Sequence, residues 1–236
     1  MSHHYIKYSS LCYHYPGGAE ALKDINLTVT QGERIALLGL NGSGKSTLLQ
    51  LTDALIFPTS GEVNIGGLKS EKKTAGEIRR NVGLVFQNPD DMLFMPTIYE
   101  DVAFGPRNMM LPEEEVDRRV RDAVREVGLE GMEDRGVFQL SGGEKRRAAI
   151  AAVLAMEPSI LLLDEPSANL DARARKKLIK LLSGFKHTII LATHDLDMAR
   201  RLCERAVILQ EGRIIADDNF EKIYHDKNLL EESGIL

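Results

Sequence analysis

Apolar and polar residues alternate over residues 5–11 (Tyr-Ile-Lys-Tyr-Ser-Ser-Leu) and 24–30 (Asp-Ile-Asn-Leu-Thr-Val-Thr). That period is the one expected of strands buried on a single face. Between them Tyr13-His14-Tyr15-Pro16-Gly17-Gly18 reads as a turn. After a second turn at Gln31-Gly32-Glu33 the pattern changes to an unbroken apolar run, Ile35-Ala36-Leu37-Leu38. Ile160-Leu161-Leu162-Leu163 and Thr188-Ile189-Ile190-Leu191 have the same character. Such runs suit central parallel strands covered on both faces. A helical stretch over about 172–183 lies between the last two, giving a β-α-β unit. Shorter strands are predicted at Glu62–Ile65, ending in Gly66-Gly67, and at Asn81–Phe86, ending at Gln87. Ala206–Leu209 and Arg213–Ile215 close around a turn at Gln210-Glu211-Gly212, and the polar tail from Asp217 reads as helical.

Helical periodicity dominates elsewhere. Residues 113–127 place Val116, Val120, Ala123, Val124 and Val127 on one stripe, with Pro112 ahead and Gly128 behind. A second helix begins near Gly143 and carries Ala148, Ile150, Ala151, Val153 and Leu154 toward Pro158. Three prolines and several methionines between Asn88 and Pro112 predict loops and short helices. The pattern therefore predicts one α/β domain over 1–236. Its core is formed by about 1–87 and 158–216, including a small antiparallel β subdomain. About 88–157 is an inserted α-helical subdomain, and 217–236 is a C-terminal tail.

Composition narrows the function classes. In 236 residues, 43% are apolar and 28% charged, the balance of a soluble globular chain. A net charge of −5 argues against a nucleic-acid partner, which would favour a basic surface. Cys12 and Cys203 show no metal-type spacing and read as reduced structural residues. His3-His4 is too short to be a metal tract and reads as a disordered end. No apolar run is long enough to span a bilayer, and the N-terminus lacks a secretory h-region. Any link to a membrane is expected to run through a partner.

The chemistry centres on Gly39-Leu40-Asn41-Gly42-Ser43-Gly44-Lys45-Ser46-Thr47, which fits G-x-x-x-x-G-K-[ST] between an apolar strand and a helix. Glycines let successive backbone N–H groups turn toward one anion, and the helix start adds its positive dipole end. Lys45 supplies a full charge for the β- and γ-phosphates, and the Ser46 hydroxyl can ligate Mg²⁺. Asp164 and Glu165 end a buried strand, on the sheet edge where α/β proteins bind ligands. Asp164 can hold Mg²⁺ through water, and Glu165 can polarise an attacking water. His194 leaves the next central strand on that edge and can reach a γ-phosphate. Gln87, neutral with both donor and acceptor atoms, can touch Mg²⁺ or the water. A second anion-binding helix start is predicted at Leu140-Ser141-Gly142-Gly143-Glu144, with Ser141 as N-cap.

The order of these stretches, together with Ser167-Ala168-Asn169-Leu170-Asp171, resembles the ATP-binding cassette (ABC) ATPases over nearly the whole chain. The resemblance implies a P-loop NTPase (RecA-like) core, with ATP and Mg²⁺ as ligands. Two such domains would pair head to tail, with ATP between the phosphate loop of one and the Ser-Gly-Gly of the other. It implies that Tyr15 stacks on adenine and that the loop ending at Asp171 crosses the dimer interface. The family motif most often has Gln where this chain has Glu144. A narrower resemblance lies in 87–94 (Gln-Asn-Pro-Asp-Asp-Met-Leu-Phe) and 100–106 (Glu-Asp-Val-Ala-Phe-Gly-Pro). These look like the ATPases of energy-coupling factor (ECF) transporters, which usually carry Gln where Met92 stands.

The implied function is the motor of a membrane importer on the cytoplasmic face. Its partners would be a transmembrane coupling subunit, a substrate-binding membrane subunit, and a second copy or a paralogous ATPase. The sequence stops about where the nucleotide-binding domain should end, without the extended C-terminal domain of vitamin-type relatives. That leans toward the nickel/cobalt type. The alternatives are a vitamin-type or other ABC importer ATPase, or a soluble ABC ATPase of DNA repair or translation. The last usually carries two cassettes or a long coiled-coil insertion, whereas the span from Gln87 to Ser141 is short. A phosphate-loop kinase would lack Leu-Ser-Gly-Gly.

Overall fold

The structure, a computed structural model, describes residues 6–185 and 187–235. Tyr5 and the His3-His4 pair lie outside the described residues. In chain order the strands are β1 (Ile6–His14), β2 (Glu20–Val29), β3 (Arg34–Leu38), β4 (Ser60–Ile65), β5 (Leu68–Lys69), β6 (Val82–Val85), β7 (Ile160–Asp164), β8 (Thr188–Ala192), β9 (Arg205–Gln210) and β10 (Arg213–Asn219). The helices are α1 (Lys45–Thr52), α2 (Ala75–Asn81), α3 (Ile98–Asn108), α4 (Glu113–Glu126), α5 (Gly142–Leu154), α6 (Ala172–Ser183), α7 (Leu196–Leu202), α8 (Phe220–His225) and α9 (Lys227–Glu232). Two compact units emerge. One covers 6–84, 159–165 and 187–235, and the other covers 85–158 and 166–185.

The first unit holds two sheets. Among the described residues the smaller has the order β2-β1-β4-β5 and is antiparallel, with Ile6 opposite both Val29 and Ile65. Its alternation is offset once. Ile6 and Tyr8 face the core, then Leu11 and Tyr13 do, because Ser10 takes φ 44° and the register shifts between Tyr8 and Leu11. The predicted turn at Tyr13–Gly18 is shorter than expected. β1 runs on to His14, Tyr13 is buried opposite Leu22, and the chain reverses where the Tyr15 amide donates to Ala19 O.

The larger sheet has the order β10-β9-β3-β8-β7-β6. β3 is parallel to β8 and β9, and β7 is parallel to β8. β7 and β8 are buried at every position, as their apolar runs require. α2 and α7 were not legible in the periodicity, because each is seven residues long and buries only two or three of them.

In the second unit α3, α4 and α5 pack on one another. α4 buries Val116, Val120, Ala123 and Val124, the stripe read from the sequence. The stretch expected to be loops and short helices instead contains α3, eleven residues long with Pro106 inside it. The missing proline N–H falls in its last turns, while Ile98, Val102 and Ala103 anchor the buried face and Thr97 caps the start. α6 follows β7 in the chain and groups with these helices.

Candidate functional site

In the first unit β3 delivers the chain into the phosphate loop. Gly39, Gly42 and Gly44 have φ of 147°, 81° and 109°, the region side chains avoid. At two of them the space is also closed. A Cβ on Gly39 would lie 2.2 Å from Leu209 O, and one on Gly44 2.8 Å from Ala21 O. The loop is thus pressed against its own unit, in the glycine conformations that an anion cradle needs.

Lys45 is buried at the first position of α1, and its Nζ donates to Gly39 O at 2.7 Å and Leu40 O at 3.0 Å. Burial lowers its pKa, and the nearby Glu165 and Asp164 charges oppose that shift. Ser46 is exposed beside it. Thr47 hydrogen-bonds the Tyr15 hydroxyl at 2.9 Å, which tethers that half-exposed ring to α1, edge-on to Tyr13.

Asp164 closes β7, and Glu165 follows with φ 43°, a left-handed conformation that costs a non-glycine residue roughly 1–2 kcal/mol. The Glu165 amide donates to Ala192 O at 2.8 Å, which holds the bend on β8. Its buried carboxylate is divided between two surroundings. Oε2 accepts from Thr193 Oγ1 at 3.1 Å and from the His194 amide at 3.4 Å, and lies 2.9 Å from His194 Nδ1. Oε1 has no hydrogen-bond partner and lies 4.0 Å from Lys45 Nζ. Strain of this kind collects where a side chain is aimed at a ligand.

The second unit holds Gln87, Ser141, Gly142, Gly143, Glu144 and Asp171. Gln87 is exposed just after β6. Its carbonyl and that of Phe86 both accept from the guanidinium of Arg146, a buried residue of α5. Ser141 caps α5, as its sequence predicts, in a capping box with Glu144. The Glu144 carboxylate accepts from the Ser141 amide at 2.8 Å and its hydroxyl at 2.7 Å, and these bonds, with the charges of Arg135 and Arg147, hold its pKa low. Asp171 caps α6 by accepting from the Ala174 amide at 2.7 Å. An open cavity of about 450 Å³ lies between the first turns of these two helices, lined by Ser141–Glu144, Asn169–Asp171 and the cationic Arg147, Arg173 and Lys177.

The structure therefore gathers Tyr15, residues 39–47, Asp164, Glu165 and His194 in one unit, and Gln87, Ser141–Glu144 and Asp171 in the other. Sequence reasoning missed Thr193 and Arg146. Thr193 extends an apolar run, and Arg146 sits in Lys145-Arg146-Arg147, which reads as a solvated face, so neither carried a signal. Among the described residues no cluster of three His, Cys, Asp or Glu could cage a metal ion. The available donors, the Ser46 hydroxyl and the Asp164 carboxylate, are hard oxygens. They suit a Mg²⁺ held mostly by phosphate and water.

The profile of the family described as ABC transporter matches residues 22–168. The energy-coupling factor transporter ATP-binding protein EcfA of Methanocaldococcus jannaschii is 43% identical over 235 residues, 98% of this chain and 84% of that protein. The structure of cbiO1 from Clostridium perfringens, part of the ABC transporter complex cbiONQ, is similar with a TM-score of 0.86 and 38% identity, covering 100% of this chain and 96% of its own. The ATP-binding cassette MJ0796, solved as a dimer in a post-hydrolysis state bound to ADP and Pi, gives 0.83 at 32% identity, over 91% of this chain and 98% of its own.

Proposed function

Because the chain belongs to the ABC transporter family of ATPases, we propose that it is the ATP-hydrolysing motor subunit of an ECF-type membrane importer. Several residue roles follow. The amides of the 39–47 loop and Lys45 bind the phosphates, and the Tyr15 ring stacks on the adenine. Ser46, Asp164 and Gln87 would hold Mg²⁺, which shields phosphate charge when bound. Glu165 accepts the proton of the attacking water. His194, whose ring is 69% exposed, turns to the γ-phosphate. Ser141, Gly142 and Gly143 of a second copy or a paralogue complete the site from the far side, with the loop ending at Asp171 between them. The dimeric form of MJ0796 supports this pairing.

The exposed Phe94 and Phe104, stacked edge to face with centroids 4.9 Å apart, offer a membrane subunit an apolar contact. Met92 is half-buried, and its Sδ accepts from the Phe86 amide within the unit. Among the described residues no helix is long and apolar enough to cross a membrane, which fits attachment through such a partner on the cytoplasmic face. The resemblance of 87–94 and 100–106 and the likeness to EcfA support the ECF type.

One observation carries the reading: a buried carboxylate with an unpartnered oxygen 4.0 Å from the phosphate-loop lysine. The test is twofold. Phosphate release from ATP should fall by at least about 100-fold in Glu165→Gln. The chain should also co-purify with a membrane coupling subunit and drive uptake, with nickel or cobalt ions as the cargo to try first. Vitamin uptake instead would move it to the vitamin branch, and a chain that hydrolyses ATP but captures no membrane protein would refute the importer.

A further inference from the structure

We propose that Thr193 is a positioning residue for hydrolysis: its hydroxyl holds Oε2 of Glu165 so that Oε1 alone is presented to the water. The inference rests on Glu165 as the base. Thr193 is fully buried directly after β8, and its amide donates to Leu37 O at 3.1 Å, on the strand that leads into the phosphate loop. Its Oγ1 accepts from the Asp195 amide at 3.1 Å. With that side filled, the hydroxyl proton is directed to Glu165 Oε2, 3.1 Å away. The result is a one-way chain, Asp195 N–H to Thr193 O–H to Glu165 Oε2.

The other side-chain group on Oε2 is the His194 ring, and it is not built to stay. It is 69% exposed, against 0% for Thr193, and it leaves Oε2 if it turns to a γ-phosphate. When it does, the Thr193 hydroxyl is the side-chain hydrogen bond left on that oxygen. A carboxylate on a strained residue, with φ 43°, would otherwise be free to rotate and exchange its two oxygens. Thr193 prevents that exchange and keeps the basic lone pairs of Oε1 aimed at the site. Small errors of aim at a reacting group cost up to about 10²-fold in rate.

The test compares Thr193→Val, which keeps the branched shape and removes the hydroxyl, with Thr193→Ser, which keeps the hydroxyl. Steady-state phosphate release is measured across ATP concentrations, with binding of a labelled ATP analogue alongside. The expected result for the valine variant is a kcat lower by about tenfold or more with an unchanged KM, the pattern of a lost transition-state interaction. The serine variant should recover most of that loss, which a packing defect would not allow. If the valine chain does not fold, Thr193→Ala removes the same hydroxyl and takes its place. Normal turnover without the hydroxyl overturns the inference, as does a serine variant as slow as the valine one, or a loss of turnover that follows a loss of ATP binding. Glu165→Gln separates the two levels. If that variant turns over ATP at the unmodified rate, the reading of Glu165 fails; if it is slowed as expected while Thr193→Val is fully active, only the role of Thr193 fails.

Discussion

The carboxylate of Glu144 takes both the amide and the hydroxyl of Ser141, the residue that caps α5, at 2.8 and 2.7 Å. A phosphate arriving there meets a carboxylate already bonded to the serine. Glu144→Gln keeps a side chain that can cap the helix and removes the charge. The ATP-bound dimer of that variant should be about two- to fivefold tighter, the scale of a partly exposed charge interaction. Dimer dissociation constants in a hydrolysis-dead background measure it, and equal values would mean that Glu144 swings clear at no cost.

Lys45→Ala removes the ammonium that now bridges the Gly39 and Leu40 carbonyls. Charge-assisted hydrogen bonds of this kind contribute about 1.5–3 kcal/mol each, so ATP should bind at least about tenfold more weakly. Equilibrium binding of a labelled analogue gives the answer. Unchanged affinity would take the loop out of the site.

Glu165→Gln should lower turnover by ~10²–10⁴-fold, the usual contribution of a positioned base. ATP binding should persist, since Lys45 and the loop amides are untouched. The ATP-bound dimer should therefore outlive that of the unmodified protein, which dimer lifetime in ATP and Mg²⁺ reports directly.

Replacing Phe94 and Phe104 together with Ala should weaken capture of a membrane subunit by about tenfold and uncouple transport, while basal ATPase activity stays. Both rings are exposed, so folding should not suffer. Full transport by the double variant would place the docking surface elsewhere.

Asp53 makes stability depend on pH. It is buried at the C-terminal end of α1, where desolvation raises its pKa to about 7, against a smaller opposing pull from Arg79. The negative end of the helix dipole also disfavours its charge. A carboxyl whose folded pKa is raised adds stability below its unfolded pKa and loses it as pH rises toward the folded value. Stability should therefore fall between about pH 4 and 7, by up to ~4 kcal/mol. Asp53→Asn should raise the Tm at pH 8 and leave it nearly unchanged near pH 4. A pH-independent difference between the two proteins would contradict this assignment.

Sequence alone determined the elements whose signal is local and repeated. The apolar runs at β3, β7 and β8 suit buried strands, and the stripe of α4 suits a helix with one covered face. The phosphate loop was legible because its glycines answer to backbone geometry, and the positive φ at Gly39, Gly42 and Gly44 follows from the pattern. The family was readable for the same reason, in the order and spacing of short motifs.

Tertiary structure decided what depends on residues far apart in the chain. Ser10 reverses the facing of β1 only because β2 and β4 flank it with a shifted register. Pro106 stays within α3 because the buried face of that helix outweighs one missing donor. Arg146, one of three cations in a row, is the one that turns inward, because the Phe86 and Gln87 carbonyls wait for it sixty and fifty-nine residues away in sequence. Thr193 and Glu165 are twenty-eight residues apart, and nothing near either announces the other. Their hydrogen bond exists because β7 and β8 lie parallel and in register, which puts the ends of two distant strands side by side.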